Sequence, residues 1–241
     1  MSFSVLAIFK NESLNLEEWI KHYIIQDVKT IYLIDNGSTD NYQHIIEKYK
    51  NKIRLFIRIE RYQQEHHYNS VYAEILNESD LAEWLFVVDI DEFVFCSHFT
   101  ISECIKLLPP DITEVRIPEQ PYGSSGFVNH PSGNIIGSFL YRQPETLSYK
   151  SFFKINSVKV GELGVHETER TCEKFDGKHI FKLNHYLIQS RDYFEHIIMP
   201  RGDVKYWWHK KNMDYFNKHD RLSTVFDDEL ANITKTNLKT L

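Results

Sequence analysis

Three acidic residues follow a short apolar run near the middle of the chain. Residues 85–88 are Leu-Phe-Val-Val, and Asp89, Asp91 and Glu92 come directly after them. Two carboxylates about 4 Å apart repel each other by about 4 kcal/mol at an effective dielectric constant of about 20, so such a cluster calls for a cation. Mg²⁺ and Mn²⁺ take carboxylate oxygens, and substrate phosphates often fill their other positions. The residues therefore predict Mn²⁺ or Mg²⁺ held between protein carboxylates and a diphosphate.

The spacing of the acids favours Asp89 and Asp91 as the ligands. If the strand continues, successive side chains alternate between its two faces, so Asp89 and Asp91 point the same way and Glu92 points the other way. A structural ion pair is then the expectation for Glu92. A strand followed by a solvated acidic turn is the alternative interpretation, because Asp-x-Asp is a short pattern.

The composition is that of a globular protein with no special affinity for nucleic acid. The chain has 241 residues, of which 42% are hydrophobic and 26% charged, and this suits one α/β domain. Its net charge of −6 argues against a nucleic-acid partner. No two of the three cysteines, Cys96, Cys104 and Cys172, form a C-x-x-C motif, which favours a reducing compartment.

The apolar segments are too short to predict a membrane span. No run approaches the roughly 20 apolar residues that a spanning helix needs. The first ten residues lack a basic region and a cleavage site, so they predict a strand and not a signal peptide. We therefore expect a cytoplasmic protein.

The aromatic and basic residues 206–211 have two interpretations, a peripheral membrane contact near a lipid-linked acceptor or a helix whose Trp face packs on the domain.

Strand-like and helix-like segments alternate over the first 95 residues. The apolar and helical periodicities predict strands at residues 3–9, 30–34, 53–59 and 84–88, with helices from about 15, 40 and 68. Asn15 with Glu18 three residues later is typical of a capping box at the first helix. Alternation of this kind predicts parallel βαβ units, whose ligands bind beyond the carboxyl ends of the strands. Residues 10–13, 35–40 and 89–92 should meet at that edge.

The second half of the chain has a different pattern. Residues 111–187 consist mostly of strand-like pieces with loops, and the chain reads as helical from residue 190 onward. We predict an α/β fold, with a mixed but mostly parallel sheet flanked by helices and a helical C-terminal segment. Residues 1–202 should form one domain, with a nucleotide-binding half at 1–95 and an acceptor-side half at 96–202. Residues 203–241 should form a helical extension packed on it.

Four segments, taken in order, resemble the nucleotide-sugar glycosyltransferases of the GT-A fold, in the family 2-like and family 92-like group. These segments are residues 7–12 with Glu18, Trp19, Ile20 and His22; residues 35–40; residues 84–93; and His185-Tyr186 with Ser190, Phe194 and Arg201-Gly202. The resemblance covers residues 5–202 and implies a nucleoside diphosphate sugar as donor, with a UDP-sugar favoured. It also implies a glycan or lipid-linked acceptor and inversion at the anomeric centre.

The resemblance also implies roles for individual residues. Those expected at the nucleotide are Phe9, Asn11, Glu12, Asp35, Asn36, Ser38, Asn69, Asp89 and Arg201. The metal is expected at Asp89, Asp91 and His185. His166 is the rival histidine for the metal, and His66-His67 is a third choice.

Inversion at the sugar needs a general base that takes a proton from the acceptor hydroxyl. Glu167, beside His166 and after an apparent strand, ranks first, Glu119 second and Glu92 third. Arg201, Lys150 or Lys154 could pair with phosphate oxygens, and the arginine fork suits that geometry best.

Other functions use similar residues. Sugar nucleotidyltransferases also bind at such an edge, but they usually carry a glycine-rich loop after the first strand, and residues 9–13 contain no glycine. A glycoside hydrolase uses paired carboxylates too. The turn at residues 35–40 favours the transferase over the hydrolase. A catalytically inactive module that binds a nucleotide sugar is the remaining alternative.

Overall fold

A computed structural model describes residues 1–131, 133–144, 148–202 and 211–237. Its strands are β1 (Phe3–Phe9), β2 (Ile31–Asp35), β3 (Ile53–Ile57), β4 (Trp84–Val87), β5 (Glu92–Phe95), β6 (Glu114–Pro121), β7 (Tyr141–Arg142), β8 (Tyr149–Lys154), β9 (Phe175–Asp176), β10 (Lys182–His185) and β11 (Val225–Phe226). Its α-helices are α1 (Leu16–Ile25), α2 (Gln43–Lys48), α3 (Gln64–Ile75), α4 (Ile101–Ile105), α5 (Ile135–Ser138), α6 (Arg191–Tyr193), α7 (Met199–Arg201), α8 (Met213–Leu222) and α9 (Glu229–Asn237). A 3₁₀-helix covers Ile155–Ser157, and a π-helical turn, Phe194–Ile198, joins α6 to α7.

Nine strands form one mixed sheet in the order β3-β2-β1-β4-β8-β6-β10-β5, with β9 paired to the start of β6. The first four strands of this order are parallel to one another. Strand β8 runs antiparallel between β4 and β6, and β5 runs antiparallel to β10. The predicted fold class, a mixed sheet flanked by helices, is confirmed. Strands β7 and β11 form a separate antiparallel pair.

The central strands are buried on both faces, which is why their sequences are continuously apolar and not alternating. All seven residues of β1 are buried. One face of the sheet packs on α1, where Trp19 and Tyr23 are fully buried. The other face packs on α3 through Tyr68 and Tyr72. Helices on both faces therefore leave the strand ends as the place where polar side chains can gather.

The strand directions collect the predicted site at one edge. The carboxyl ends of β1, β2, β4, β6 and β10 lie there, together with the amino ends of the antiparallel β5 and β8. The pairing of His185 with Glu92 across β10 and β5 brings a histidine to the end of the acidic segment. Residues far apart in sequence therefore share a single rim, which we call the carboxyl edge.

The acidic segment itself is not extended, which corrects one prediction. Strand β4 ends at Val87, and the amide of Glu92 donates to the carbonyl of Asp89 at 3.1 Å, so residues 89–92 form a turn. Glu92 Oε2 then accepts from the amide of Asp89 at 2.8 Å. The expectation that Glu92 points away from the aspartates was therefore wrong. Its predicted ion pair is confirmed, because Lys150 Nζ lies 3.3 Å from Glu92 Oε2.

The C-terminal elements pack against the sheet region at several places. Leu230 and Ala231 of α9 are buried in the main core, and Phe216 of α8 joins a smaller cluster with Phe194. Strand β11 adds a short extended piece to the segment expected to be helical. Residues 206–211, for which a membrane contact and a helix packed on the domain were the two interpretations, lie, apart from Lys211, outside the described residues. Within the described ranges, none of the helices has both the length and the apolar character to cross a bilayer.

Candidate active site

The loop after β2 is shaped by Asp35. Asp35 Oδ1 accepts from the amide of Ser38 at 2.8 Å, and Oδ2 accepts from the hydroxyl of Tyr42 at 2.9 Å. Burial, assisted by Asp35, raises the pKa of Tyr42 to about 12, so this hydroxyl stays a donor. Asp35 is only 5% exposed. Both of its carboxylate oxygens therefore hold the loop in place.

The loops after β1 and β2 are tied together. The amide of Asn11 donates to Ser38 Oγ at 3.0 Å, and Asn11 Oδ1 accepts from the amide of Thr39 at 2.7 Å. Asn11 has φ +56°, a left-handed conformation that asparagine tolerates better than most residues. Asn36 Nδ2 donates to the carbonyls of residues 58 and 60. Phe9 packs edge-on against Tyr42 at 4.9 Å. The structure thus brings Phe9, Asn11, Asp35, Asn36 and Ser38 together as one wall.

Asn69 has a different environment. It lies on α3, and its Oδ1 accepts from the amides of Gly161 and Leu163 at 2.7 and 3.1 Å. Its Nδ2 donates to the carbonyls of Glu65 and Leu163. The amide of Asn69 therefore anchors the 161–163 loop to α3.

A buried ion pair joins Glu12, after β1, to Arg201, at the end of α7. Glu12 Oε2 also accepts from the hydroxyl of Tyr193 at 2.5 Å and from Asn15 Nδ2 at 3.0 Å. Burial alone would lower the pKa of Arg201, but Glu12 reverses this and raises it above its ordinary value. Glu12 is therefore an anchor for the arginine, and the arginine side chain keeps 14% exposure.

Lys150 lies at the centre of the acidic cluster. Its side chain is 2% exposed, and its Nζ lies 2.8 Å from Asp89 Oδ2 and donates to the carbonyl of Val165 at 3.1 Å. Burial would lower the pKa of Lys150, but Asp89 and Glu92 raise it well above its ordinary value. Burial raises the pKa of Glu92 to about 8 in spite of Lys150. Tyr68 donates to Asp89 Oδ1 at 3.4 Å.

His185 links three acids through its two ring nitrogens. Nδ1 lies 3.0 Å from Glu119 Oε2 and 3.8 Å from Glu92 Oε1, whereas Nε2 lies 3.7 Å from Asp91 Oδ2. Burial would lower the pKa of His185, but Asp91 and Glu119 raise it well above its ordinary value. Burial would raise the pKa of Asp91, but His185 outweighs it and lowers the pKa to about 2. The imidazole and these acids therefore form one coupled group.

The group around His185 has the donor set of a divalent cation site. His185, Glu92 and Glu119 each offer a ligand atom, and these atoms all lie within 4.8 Å of one another. Glu92 Oε1 and Glu119 Oε1 are buried and have no hydrogen-bond partner among the described residues. Two orphaned carboxylate oxygens beside an imidazole are suitable ligands for Mn²⁺. The residues present therefore fit the predicted ion.

The three predicted metal ligands have different partners in the structure. It brings His185 and Asp91 together, and it places Asp89 against Lys150. Sequence reasoning ranked Glu92 third among the possible bases and favoured a structural ion pair for it, and it treated Lys150 only as a possible phosphate partner. Strand β8 carries two lysines, Lys150 and Lys154, so the sequence held no signal that singled out Lys150 as the buried and paired one.

The predicted bases occupy different surroundings. Glu167 is exposed and pairs with Lys174 at 2.9 Å and with Arg116 at 2.5 Å. The hydrogen bond from Lys174 is the largest effect on the pKa of Glu167, which is lowered. Glu119 is 3% exposed. The neighbouring His166 is exposed, with Nδ1 3.4 Å from Glu119 Oε1.

The sequence comparison decides the family. The family model described as glycosyltransferase family 92 matches residues 1–233. This chain belongs to glycosyltransferase family 92. A family 92 protein of Ricinus communis is 22% identical to it over 206 residues, which cover 79% of this chain and 36% of the relative. The family 92 member described here thus spans about a third of that relative's length.

Solved structures similar to this family 92 member are distant from it. S. aureus TarS residues 1–349 in complex with UDP has a TM-score of 0.44 and 17% identity, covering 64% of this chain and 47% of that one. A mannosyltransferase from Pyrobaculum calidifontis, PcManGT, in complex with GDP-Man and Mn²⁺, has a TM-score of 0.42 and 16% identity, covering 63% and 44%.

Proposed function

We propose that this family 92 chain transfers a sugar from a nucleoside diphosphate sugar to a hydroxyl group of a glycan or lipid-linked acceptor. The observation that carries the proposal is the coupled group of Asp91, Glu92, Glu119 and His185 at the carboxyl edge, where the loops after β1 and β2 also begin. Membership of the family supports it. We further propose that the donor is a UDP-sugar and that the reaction inverts the anomeric centre.

The proposed cofactor is Mn²⁺ or Mg²⁺, which Asp91 and His185 would bind, with Asp89 as a weaker ligand. The separation of 3.7 Å between Asp91 Oδ2 and His185 Nε2 supports this placement. When bound, the ion supplies a positive charge that stabilises the departing diphosphate. Asp89 is shared with Lys150, so it contributes less free charge to an ion than Asp91 does.

The chain's own cations have separate tasks in this proposal. Lys150 pairs with Asp89 and also contacts Glu92, which allows the two acids to lie close together before any ligand arrives. Arg201 would pair with diphosphate oxygens, because a guanidinium matches that geometry with two parallel hydrogen bonds. Its ion pair with Glu12 fixes the arginine's orientation beforehand. Preorganised charge of this kind lowers the reorganisation needed during the reaction.

We propose Glu167 as the general base. Its lowered pKa keeps the carboxylate ionised at neutral pH, which is the state that accepts a proton. The acceptor hydroxyl would have to displace the hydrogen bonds from Lys174 and Arg116. Glu119, the second-ranked residue, is less suitable because it is 3% exposed.

The experiment that tests the proposal is a screen of UDP-sugars and GDP-sugars with and without Mn²⁺. Release of nucleoside diphosphate and, separately, binding of each donor are measured, with no acceptor and with mixed glycan and lipid-linked acceptors. We expect one donor to be consumed only when the metal is present. Donor binding without turnover under every condition would favour the inactive binding module. Absence of donor binding, with or without Mn²⁺, would contradict the proposed function.

A further inference from the structure

The carboxylate of Glu119 lies between two histidines. Glu119 Oε2 is 3.0 Å from His185 Nδ1, and Glu119 Oε1 is 3.4 Å from His166 Nδ1. Glu119 is 3% exposed, whereas His166 has 59% of its side chain exposed. The same carboxylate therefore contacts one largely buried imidazole and one that faces solvent.

Neighbouring strands fix the contact between Glu119 and His185. Glu119 lies on β6 and pairs with Leu183 of the parallel strand β10, two residues before His185. Side chains two residues apart on a strand share a face, so the two groups are diagonal neighbours on one face of the sheet. Regular strand pairing on β6 and β10 gives both residues little freedom to move apart.

The two nitrogens of His185 face different partners. Nδ1 faces Glu119, and Nε2 faces Asp91 at 3.7 Å. A carboxylate only accepts hydrogen bonds when it is ionised, so the hydrogen bond with Glu119 requires a proton on Nδ1. In a neutral imidazole this leaves the lone pair on Nε2, the nitrogen beside Asp91.

We propose that Glu119 is a positioning residue that holds His185 in the Nδ1–H tautomer, with Nε2 directed at the cation beside Asp91. This inference rests on the metal site of the proposed function. A histidine that binds a metal usually donates its other N–H to a carboxylate or carbonyl, and loss of that partner typically weakens metal binding about 10-fold to 100-fold. Glu119 thus acts through His185 and does not touch the acceptor.

The burial of Glu119 argues against its direct role as the base. Both of its oxygens face histidines, and only 3% of the residue is exposed. A general base must come within hydrogen-bond reach of the acceptor hydroxyl or of one bridging water. Glu119 therefore has the contacts of a group that orients another side chain.

The test measures Mn²⁺ binding to the whole chain by electron paramagnetic resonance of free Mn²⁺, without donor or acceptor. We expect Glu119→Leu to weaken binding about 10-fold to 100-fold. Glu119→Gln should lose less Mn²⁺ affinity than Glu119→Leu, because the glutamine amide oxygen still accepts a hydrogen bond from Nδ1–H of His185. His166→Gln is the matched control, since it removes the other histidine at Glu119 and should bind Mn²⁺ as the wild type does. Thermal unfolding checks that each variant is folded.

A second measurement does not depend on any Glu119 variant. Long-range ¹⁵N–¹H spectra of ¹⁵N-histidine-labelled protein, with diamagnetic Zn²⁺ in place of Mn²⁺, report the tautomer of His185. We expect a proton on Nδ1, with the signal assigned by its loss in His185→Gln. A proton on Nε2 would overturn the inference.

The binding outcomes separate the two proposals. If the wild type does not bind Mn²⁺, the proposed metal site fails. If the wild type binds Mn²⁺ and Glu119→Leu binds it equally well, the positioning role fails and the metal site stands. Equal losses of Mn²⁺ affinity in Glu119→Gln and Glu119→Leu would also overturn the inference, because they would show that the carboxylate of Glu119 binds the ion directly. A loss in His166→Gln as large as in Glu119→Leu would overturn it by assigning the metal to His166.

Discussion

The ammonium of Lys150 lies 2.8 Å from Asp89 Oδ2, with 2% of the lysine side chain exposed. The same Nζ lies 3.3 Å from Glu92 Oε2. One cation of the chain itself therefore occupies the part of the acidic cluster where Asp89 and Glu92 meet. This pairing explains how the buried Glu92 and the part-buried Asp89 can lie close together in the free protein, and it leaves Asp91 and His185 as the part that faces an added cation.

Replacement of Lys150 should destabilise the protein strongly. Lys150→Met leaves Asp89 without its counter-charge and removes the ammonium from the buried Glu92. Breaking a buried pair on one side costs about 3–5 kcal/mol, and the 30% exposure of the Asp89 side chain places the expectation at the lower end of that range. Urea unfolding at neutral pH measures the loss. Lys154→Met, on the same strand but with 22% of its side chain exposed, is the matched control and should cost about 1 kcal/mol or less. Equal losses in the two variants would show that Lys150 does not stabilise the acids.

Replacement of Asp91 should remove activity without unfolding the chain. Asp91 Oδ2 lies 3.7 Å from His185 Nε2, in the group where we place the cation. We expect Asp91→Ala to lower kcat/KM for the donor at least about 100-fold, since the charge stabilisation from a metal is worth several kcal/mol. Asp80→Ala, at an 86% exposed side chain, should retain full turnover. Thermal unfolding of both variants tests the fold, and full turnover in a folded Asp91→Ala would reject the metal assignment.

The parallel half of the sheet could be predicted because its signals are local. Strands β1 to β4 are short apolar runs separated by helical periodicity, and such units leave one main choice of topology. Strand direction then places residues 10–13, 35–40 and 89–92 at one edge. The turn at Asp89–Glu92 was missed, because an apolar run gives no indication of where pairing stops. Strand β5 pairs with β10, about 90 residues later in the chain.

The interior of the site could not be predicted because its contacts are non-local. Lys150 meets Asp89 across 61 positions, and no spacing rule indicates that pair. Asn15 and Glu18 show the same limit. They match a capping box, but Asn15 makes no side-chain cap, and Glu18 accepts from the amides of Ile135 and Ile136 instead. Tertiary hydrogen bonds outweighed the local preference at both positions.

Replacement of Glu167 tests the proposed base. Glu167→Gln keeps the size and much of the hydrogen bonding to Arg116 and Lys174, but its amide does not accept a proton. We expect kcat for transfer to fall about 100-fold or more, with donor binding unchanged, because general base catalysis contributes about 10² to 10⁴. Glu169→Gln, two residues along the same segment, is the control. Unchanged transfer by Glu167→Gln would move the role to another carboxylate.

His22 should make the protein less stable in mild acid. It is 5% exposed on α1, and its Nε2 donates to the carbonyl of Val94 at 2.7 Å. Burial lowers the pKa of His22 from 6.5 to about 4, so the folded state keeps the ring neutral while the unfolded chain takes up a proton. The stability from the neutral ring is therefore complete above about pH 6.5 and is lost as the pH falls towards 4, by about 3 kcal/mol in total.

The difference between variants isolates this effect from the other titrations. Urea unfolding of the wild type and of His22→Gln is compared at pH 7.5, about 6 and about 5, where the uncharged glutamine contributes no titration of its own. We expect the stability advantage of the wild type to shrink as the pH falls. A constant difference between the wild type and His22→Gln would mean that the buried ring takes up its proton as easily as it does in the unfolded chain.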